Sequence, residues 1–270
     1  MNHLKEISKD QFKEIATEIL AFIDDFCKKN DIDYYISYGT LLGAVRHGGF
    51  IPWDDDIDIV MPRSSYEKFI NIFPKNNRFE LVHPEKDRQY YLPFAKVFDS
   101  RTILYEDISV QYRIGVWIDI FPSEHAPLKD FTLQSRIILP FLRKALQIKL
   151  LNKEKKRSLI KRFIVKIGKF ILYFFSCNDL ARKINSLSRQ IDKTNNISKY
   201  QNVFSSTYFS QSNLTHEKHL FPLTEIPFES IQVLGPNDPD KILSTRYGNY
   251  LELPPEDQRI SNHTYNAYWK

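Results

Sequence analysis

The chain has 270 residues, of which 42% are hydrophobic and 26% are charged. These values are typical of a soluble globular protein with a sizeable core, and the sequence contains no internal repeat or low-complexity tract. The net charge of +5 is uneven, because residues 143–169 hold eleven Lys or Arg against one acid. A basic block of this kind can attract nucleic acid, anionic lipid or a phosphorylated substrate.

The two cysteines, Cys27 and Cys177, lie in apolar stretches with helical spacing. This context predicts reduced thiols, with a single disulfide as the alternative. The first ten residues contain no apolar stretch, so we expect no secretory signal. The sequence therefore predicts a cytoplasmic protein.

The first predicted elements are a helix and a strand. Apolar residues recur every three or four positions from Asp10, which can cap the helix, to about Lys29. Residues 32–37 then read as a strand. Tyr38, which follows, either packs in the core or lines a nucleotide pocket, because tyrosine has an apolar ring and a polar tip.

A glycine and a hydroxyl group come directly after that strand. Gly39 and Thr40 precede a short predicted helix, residues 41–45, so backbone N–H groups and a hydroxyl can meet a phosphate at the helix N-terminus. Arg46 then begins a basic turn. We therefore expect Tyr38, Gly39, Thr40 and Arg46 to bind a nucleotide or its phosphates.

Four carboxylates lie within five residues, just before an apolar strand. They are Asp54, Asp55, Asp56 and Asp58. Carboxylates so close together repel one another unless a cation lies among them, and oxygen ligands suit Mg²⁺ or Mn²⁺. Strand periodicity sends Asp56 and Asp58 to one face and Ile57 to the other. A calcium loop of the EF-hand type is the alternative, but the spaced Asp/Asn, Gly and final Glu are missing.

Further alternating segments predict one helix and four strands. The helix is expected at 65–73, capped by Ser64, and the strands at 79–82, 94–98, 101–105 and 115–121. Lys96 lies inside one of these strands and faces either the same cleft as the aspartates or the solvent. Asp119 interrupts another apolar strand, where an unpaired carboxylate would be expensive to bury. It is therefore a candidate third carboxylate of the site, with a structural role as the alternative.

The character of the chain changes between about residues 130 and 194, where helical spacing and the basic block coincide. Residues 163–175 are apolar but include two lysines, and they are too few to span a bilayer. The segment either lies on a membrane surface or packs on the catalytic core. After it, residues 221–229 suggest a hairpin, and Asp238 starts a helix that ends near Gly248.

Two segments resemble the LicD family of phosphotransferases. Residues 38–47 (YGTLLGAVRH) and 52–58 (PWDDDID) match its main motif, and residues 246–255 (RYGNYLELPP) resemble its closing segment. That family includes bacterial phosphocholine transferases and is related to fukutin-type ribitol-phosphate transferases. One departure lies after Arg259, where the family often has adjacent histidines but this chain has Ser261, Asn262 and His263.

The resemblance implies an α+β fold with a nucleotidyltransferase-like mixed sheet, flanked by helices and carrying a mainly helical basic insertion. We expect a catalytic core in residues 1–130, a basic lobe in 131–200 and a segment in 201–270 that completes the active site. The implied reaction moves a phospho-substituent from a CDP-linked donor to a sugar hydroxyl of a cell-surface glycan precursor. Phosphocholine is the leading candidate for that substituent. The expected glycan is of the teichoic acid, capsule or lipopolysaccharide type and is attached to a lipid carrier. The second product of the reaction is CMP.

Each candidate residue has an expected role in that reaction. Asp56, Asp58 and Asp119 are the expected catalytic residues and ligands of Mg²⁺ or Mn²⁺, and Asp119 is the expected proton acceptor. Lys96 joins the phosphate-binding group. The residues expected around the substrate are Trp53, Asp54, Asp55, Arg246, Arg259 and His263.

Three alternative functions stay open at this point. A nucleotidyltransferase would attach the nucleotide itself and release pyrophosphate, and fold alone does not separate it from a phosphotransferase. CDP-glycerol or CDP-ribitol is the alternative donor. A nucleic-acid-binding module would use the basic block, but no recognised RNA-binding motif with stacking aromatic residues accompanies it, so we expect no nucleic-acid partner.

Overall fold

A computed structural model of the chain describes residues 4–106, 108–110, 112–127, 133–151, 159–206, 214–260 and 265–270. Its helices are α1 (Lys9–Lys29), α2 (Tyr38–His47), α3 (Arg63–Ile72), α4 (Leu139–Leu150), α5 (Leu159–Ile171), α6 (Cys177–Thr194), α7 (Glu217–Leu220) and α8 (Pro239–Tyr247). Its strands are β1 (Tyr35–Ile36), β2 (Asp58–Pro62), β3 (Phe79–Val82), β4 (Ala95–Asp99), β5 (Thr102–Glu106), β6 (Trp117–His125), β7 (Tyr200–Asn202), β8 (Thr215–His216), β9 (Thr224–Phe228), β10 (Ile231–Gly235) and β11 (Tyr265–Trp269). The predicted α+β class is confirmed.

Within the described residues, the main sheet has seven strands, five of them in the order β1-β2-β6-β4-β3. Strands β2 and β6 run parallel, whereas β4 lies antiparallel to β6 and β1 antiparallel to β2. The last two strands, β7 and β8, continue from the far end of β6. Strand β2 is buried along Ile59, Val60 and Met61, which explains its unbroken apolar run.

Helix α1 covers the sheet with an apolar face and is capped earlier than predicted. Its buried side chains recur at helical spacing, and Phe12 packs edge-on against Trp117 of β6. Ser8, not Asp10, is the cap, because Ser8 and Gln11 form a reciprocal capping box. Helix α3 also starts earlier than predicted, at Arg63, without a side-chain cap from Ser64.

The C-terminal part of the chain packs back on the core. Strands β9 and β10 form a hairpin at residues 224–235, later in the chain than the one predicted at 221–229. Helix α8 has the predicted boundaries, with Asp238 as N-cap and Gly248 after its last turn. Strand β5 was predicted as part of the sheet, but it pairs with β11 in a separate two-stranded ladder. Its partner lies about 160 residues further along the chain, which no local pattern reveals.

Helices α4, α5 and α6 form the basic lobe and have an apolar cluster of their own. Leu146, Leu172 and Ile184 are buried in that cluster together with Phe204. Helix α5 ends at Ile171, four residues before the end of the apolar segment that the sequence suggested. Among the described residues, no helix is long and apolar enough to cross a membrane. Residues 152–158 of the basic block lie outside the described ranges.

A buried group of charges joins the lobe to the sheet. Arg63 forms an ion pair with Glu124 of β6 and donates a hydrogen bond of 2.9 Å to Asn185 of α6. Glu124 also accepts a hydrogen bond of 3.0 Å from the backbone N–H of Phe204. Burial raises the pKa of Glu124 to about 7, against the opposing effect of Arg63. We call these four residues the buried junction.

Candidate active site at the acidic end of two parallel strands

The parallel pairing of β2 with β6 places two predicted site residues side by side. Asp58 is the register partner of Asp119, and the backbone N–H of Asp119 donates to the carbonyl of Ile57 at 3.0 Å. Paired residues on neighbouring strands point to the same face of a sheet, so the two carboxylates share one surface. The sequence predicted both residues for the site but not the strand register that makes them direct partners.

Lys96 completes this row from the other side of β6. It is the antiparallel register partner of Asp119, and its Nζ lies 2.6 Å from Asp119 Oδ1. The ammonium group also lies 3.9 Å from the centre of the Trp117 ring, and only 4% of the side chain is exposed. The alternative of a solvent-facing lysine is therefore wrong, and Lys96 is a buried lysine on the β4 side of the acidic face.

Asp54 and Asp56 bring further negative charge to the same place. Burial raises the pKa of Asp56, and so does the repulsion from Asp58, Asp54 and Asp119. The pKa of Asp58 is also raised, first by burial and then by the charges of Asp119 and Asp54. Lys96 and Arg246 oppose the shift at Asp58 but do not reverse it. The face therefore carries more negative than positive charge.

The side chains at this face fit a hard divalent cation in their chemistry. All the candidate ligands are carboxylate oxygens, and their mutual repulsion is the condition that such a cation relieves. Across the described residues, however, no three His, Cys, Asp or Glu side chains already form a ligand set for a metal ion. One oxygen of Asp119 is held by Lys96 instead. The metal expectation therefore rests on donor chemistry and charge.

The first turn of α2 lies against the acidic loop. A Cβ atom on Gly39 would lie 2.8 Å from Asp54 Oδ2, so a side chain at this position would crowd the carboxylate. Thr40 is buried, and its Oγ1 accepts a hydrogen bond of 2.8 Å from the backbone N–H of Asp58. The Thr40 hydroxyl, which was expected to bind a phosphate, thus holds the start of β2. Its proton is still available for donation to a phosphate.

Tyr38 and Arg246 form one wall of the site. The Arg246 guanidinium lies 4.4 Å from the Tyr38 ring centre, while Phe121 packs edge-on against the same ring at 5.9 Å. Arg246 also donates to Ser37 Oγ at 3.4 Å. Tyr38 has a φ of +50°, a conformation that non-glycine residues rarely adopt and that clusters at functional sites. The strained backbone aims this ring at Arg246.

The remaining predicted site residues lie around the rim. Arg46 donates to the carbonyl of Tyr250 at 2.9 Å, so it holds the C-terminal loop. Arg259 lies 5.7 Å from the Trp53 ring and donates to the carbonyl of Pro254. Asp55 interacts with Tyr265 and lines a groove of about 440 Å³ between the two ends of the chain. His263 lies outside the described residues.

Sequence comparisons place this site in a known family. The sequence model for the LicD/FKTN/FKRP nucleotidyltransferase domain matches residues 31–136, a range that includes Tyr38, the aspartate cluster, Lys96 and Asp119. The lipopolysaccharide cholinephosphotransferase LicD of Haemophilus influenzae is 26% identical over 276 aligned residues, which cover 98% of this chain and 99% of that protein. The chain therefore contains a LicD-type nucleotidyltransferase domain and is similar over nearly its whole length to a LicD cholinephosphotransferase.

Two other relatives match shorter stretches of this chain. An uncharacterised protein of Rickettsia typhi is 53% identical over 124 residues, 42% of this chain and 38% of that protein. Mannosyltransferase regulator 4 of Saccharomyces cerevisiae is 28% identical over 133 residues, 46% of this chain and 11% of that protein. Each of these two relatives matches less than half of this chain.

Three residues near the LicD site were missed by the sequence reasoning. Ser37 is the N-cap position of α2 and contacts Arg246. Tyr247 lies within electrostatic reach of Asp58 and Asp54, and burial raises its pKa. Tyr265 faces Asp55. Adjacency to Tyr38 and Arg246 was an available signal for the first two, whereas Tyr265 is brought in by the pairing of β11 with β5.

Proposed function

We propose that this protein transfers phosphocholine from CDP-choline to a sugar hydroxyl of a cell-surface glycan precursor and releases CMP. The observation that carries the proposal is the row Asp58, Asp119 and Lys96, in which two carboxylates and one ammonium share a sheet face. The named activity of the H. influenzae relative supports the phosphocholine group. CDP-glycerol and CDP-ribitol are the other donors of the same chemical type.

The acidic face also supports a divalent cation as cofactor, Mg²⁺ or Mn²⁺. Asp56 and Asp58 would hold it, with Asp119 as the third candidate. When bound, such an ion neutralises the charge on the donor diphosphate and on the departing CMP. The repulsion that raises the pKa of Asp56 and Asp58 is the support for this assignment.

The chain's own residues position the reactants and move one proton. Lys96 fixes the Asp119 carboxylate at the face, where it accepts the proton of the attacking sugar hydroxyl. The hydroxyl oxygen forms the new bond to the phosphorus of phosphocholine, and the bond from that phosphorus to the CMP oxygen breaks. Arg246, stacked on Tyr38 beside Asp58, supplies positive charge for the phosphates.

The acceptor and the location complete the proposal. A glycan precursor on a lipid carrier would present its hydroxyl at the cytoplasmic face of the membrane, where CDP-linked donors are available. We propose no nucleic-acid substrate, because the acidic face would repel a polyphosphate backbone that brings no cation.

A product assay separates this proposal from a nucleotidyltransferase. The purified protein is incubated with Mg²⁺ and either CDP-choline plus glycan precursor, or CTP plus phosphocholine, and the released nucleotide or pyrophosphate is measured. We expect CMP from the first mixture, no pyrophosphate from the second, and neither product with Asp58→Asn. Pyrophosphate release from CTP would overturn the proposal, and a parallel screen with CDP-glycerol and CDP-ribitol tests the head group.

A further inference from the structure

Five large apolar side chains are exposed together at the end of α5. They are Phe170, Ile171, Tyr173, Phe174 and Phe175, with exposed fractions of 80%, 66%, 75%, 88% and 53%. We call these five residues the aromatic tip. Scattered apolar residues are normal on a protein surface, but five within six consecutive positions mark an interaction site.

The opposite side of α5 is the one that packs on the protein. A Cβ atom on Gly168 would lie 3.1 Å from Ile148 Cγ2 of α4, which shows how closely the two helices approach. Leu172, the one buried residue within the tip segment, belongs to the apolar cluster of the lobe. In the described part of the chain, the ring contact recorded for the tip is internal, between Tyr173 and Phe174. The tip therefore faces outward.

Lysine side chains border the aromatic tip. The Nζ of Lys149 donates to the carbonyl of Leu172 at 2.9 Å, and the Nζ of Lys169 donates to the carbonyl of Leu151 at 2.6 Å. Lys166 is exposed one turn before the tip. The sequence of α5 contains four cations and no acid. The first acid after the tip, Asp179, is bound to Ser176 at the start of α6.

We propose that the aromatic tip inserts into the interfacial layer of an anionic lipid membrane, with the bordering lysines at the headgroups. Phenylalanine, isoleucine and tyrosine at one end of a basic amphipathic helix are typical of segments that lie in this layer. The lysines supply the charge complementarity, since anionic lipids attract basic residues near the surface. A nucleic acid would stack its bases on aromatic rings alone. Ile167 and Ile171 are exposed beside the rings, and such aliphatic side chains favour lipid over nucleic acid.

This inference goes beyond the proposed reaction and does not depend on it. The tip lies on the lobe, whereas the acidic face lies on the sheet between β2 and β4. A membrane contact at the tip would bring the protein to lipid-linked acceptors of any head group. Vesicle binding can therefore be measured without any turnover, so a failed test here is distinct from a failed product assay.

The test is sedimentation of the full chain with lipid vesicles at low and high salt. One set of vesicles mixes phosphatidylglycerol with phosphatidylcholine, and the other is phosphatidylcholine alone. The test variant carries Phe170→Ser, Tyr173→Ser and Phe174→Ser, which are highly exposed positions where polar substitutions leave folding nearly unchanged. The matched control carries Ile72→Ser and Ile197→Ser, which are exposed apolar positions outside the tip.

We expect the wild type and the control to bind anionic vesicles at low salt, and the triple variant to bind at least about tenfold more weakly. High salt should weaken wild-type binding, because the lysine contribution is screened. In a second measurement, Phe174→Trp should show fluorescence quenching by brominated lipids. No binding to anionic vesicles at low salt, or equal binding by the triple variant, would overturn the proposal.

Two further outcomes would assign the tip to another partner and also overturn the proposal. Sedimentation velocity of the wild type and the triple variant tests a second copy of the chain, since a dimer lost only in the variant would show that the tip is a dimer contact. A gel shift with single-stranded RNA that is lost in the triple variant, without vesicle binding, would show that the rings stack on bases.

Discussion

The acidic face and the buried junction gather charges on the same strand, β6, in opposite ways. At the junction, Arg63 forms an ion pair with Glu124 and donates a hydrogen bond to Asn185, so that a cation, an anion and an amide contact one another inside the protein. Five residues earlier on the strand, Asp119 lies beside Asp58 with Lys96 as its partner, while Asp54 and Asp56 add further negative charge. The charges of the buried junction are paired inside the protein, whereas the acidic face keeps an excess of negative charge and is partly open to solvent.

The difference shows how the two kinds of buried charge are to be interpreted. A satisfied pair that joins two structural units stabilises their arrangement and has no chemistry left to perform. An excess of one charge on a sheet face costs stability and persists where a ligand of opposite charge corrects it. Substitutions at the two places should therefore have separate effects, on activity at the face and on stability at the junction.

The largest expected effect is the loss of activity at the acidic face. Asp58→Asn keeps the side-chain volume but removes one negative charge, so turnover should fall at least about a thousandfold, which is about 4 kcal/mol of transition-state stabilisation. The measurement is CMP release from the donor.

Without metal, the Asp58→Asn variant should melt at a slightly higher temperature than the wild type, because repulsion from Asp119 and Asp54 is relieved. Added Mg²⁺ should then raise the melting temperature of the wild type more than that of the variant.

Asp33→Asn is the matched control for this measurement. Asp33 is an exposed aspartate before β1, and its substitution should leave turnover within about twofold of wild type. Turnover by Asp58→Asn within a factor of about ten would remove Asp58 from the proposed site.

The next effect concerns the stability contributed by the buried junction. Glu124→Leu leaves the Arg63 guanidinium buried without its main anion, so the free energy of unfolding should drop by about 3–5 kcal/mol. Adding Arg63→Met should recover most of this loss, because no unpaired charge remains. Urea unfolding followed by circular dichroism gives both values. An additive double variant would show that the pair is not coupled, and the folded fraction of each variant should keep its activity.

The smallest effect is a pH dependence that arises close to the junction. His83 is buried against Tyr66, and burial lowers its pKa from 6.5 to about 4. The charged neighbours that modify this shift are Glu67, Arg63, Arg189 and Lys86. Because the unfolded chain binds the proton more readily, the contribution of His83 is complete above pH 6.5 and is lost as the pH falls toward 4. Between pH 7.5 and 5, about 2 kcal/mol should disappear.

His83→Asn is the non-titrating comparison for this experiment. The Asn side chain can still accept from the backbone N–H of Glu85, as His83 Nδ1 does at 3.3 Å. Unfolding free energies of the two proteins measured across that pH range should diverge. Parallel curves would assign the acid sensitivity to other groups.

Alternation and capping chemistry were enough to predict much of the fold and several site residues. Asp58, Asp119 and Lys96 each stand out as charged positions within apolar strands, and the structure brings all three together. The boundaries of α8 followed from Asp238 and Gly248. The capping box of Ser8 and Gln11 was equally readable, but the acidic residue two positions later was preferred over it.

The pairing and register of the strands could not be predicted from the sequence, for a physical reason. Which strands become neighbours depends on packing between segments far apart in the chain, so the pairs β2 with β6 and β5 with β11 have no local signature. The positive φ of Tyr38 and the stacking of Arg246 on its ring likewise depend on tertiary contacts. The expected catalytic and binding roles of all the candidate site residues stay predictions.

The parallel pairing of β2 with β6 also sets when the site can exist. About 60 residues separate Asp58 from Asp119, and α3, β3, β4 and β5 lie between them in the chain. No fragment that folds locally can bring the two carboxylates together, since β6 must first take its place between β2 and β4. During synthesis the emerging chain should therefore have no catalytic activity until the centre of its sheet is assembled. The appearance of activity would then report that long-range folding is complete.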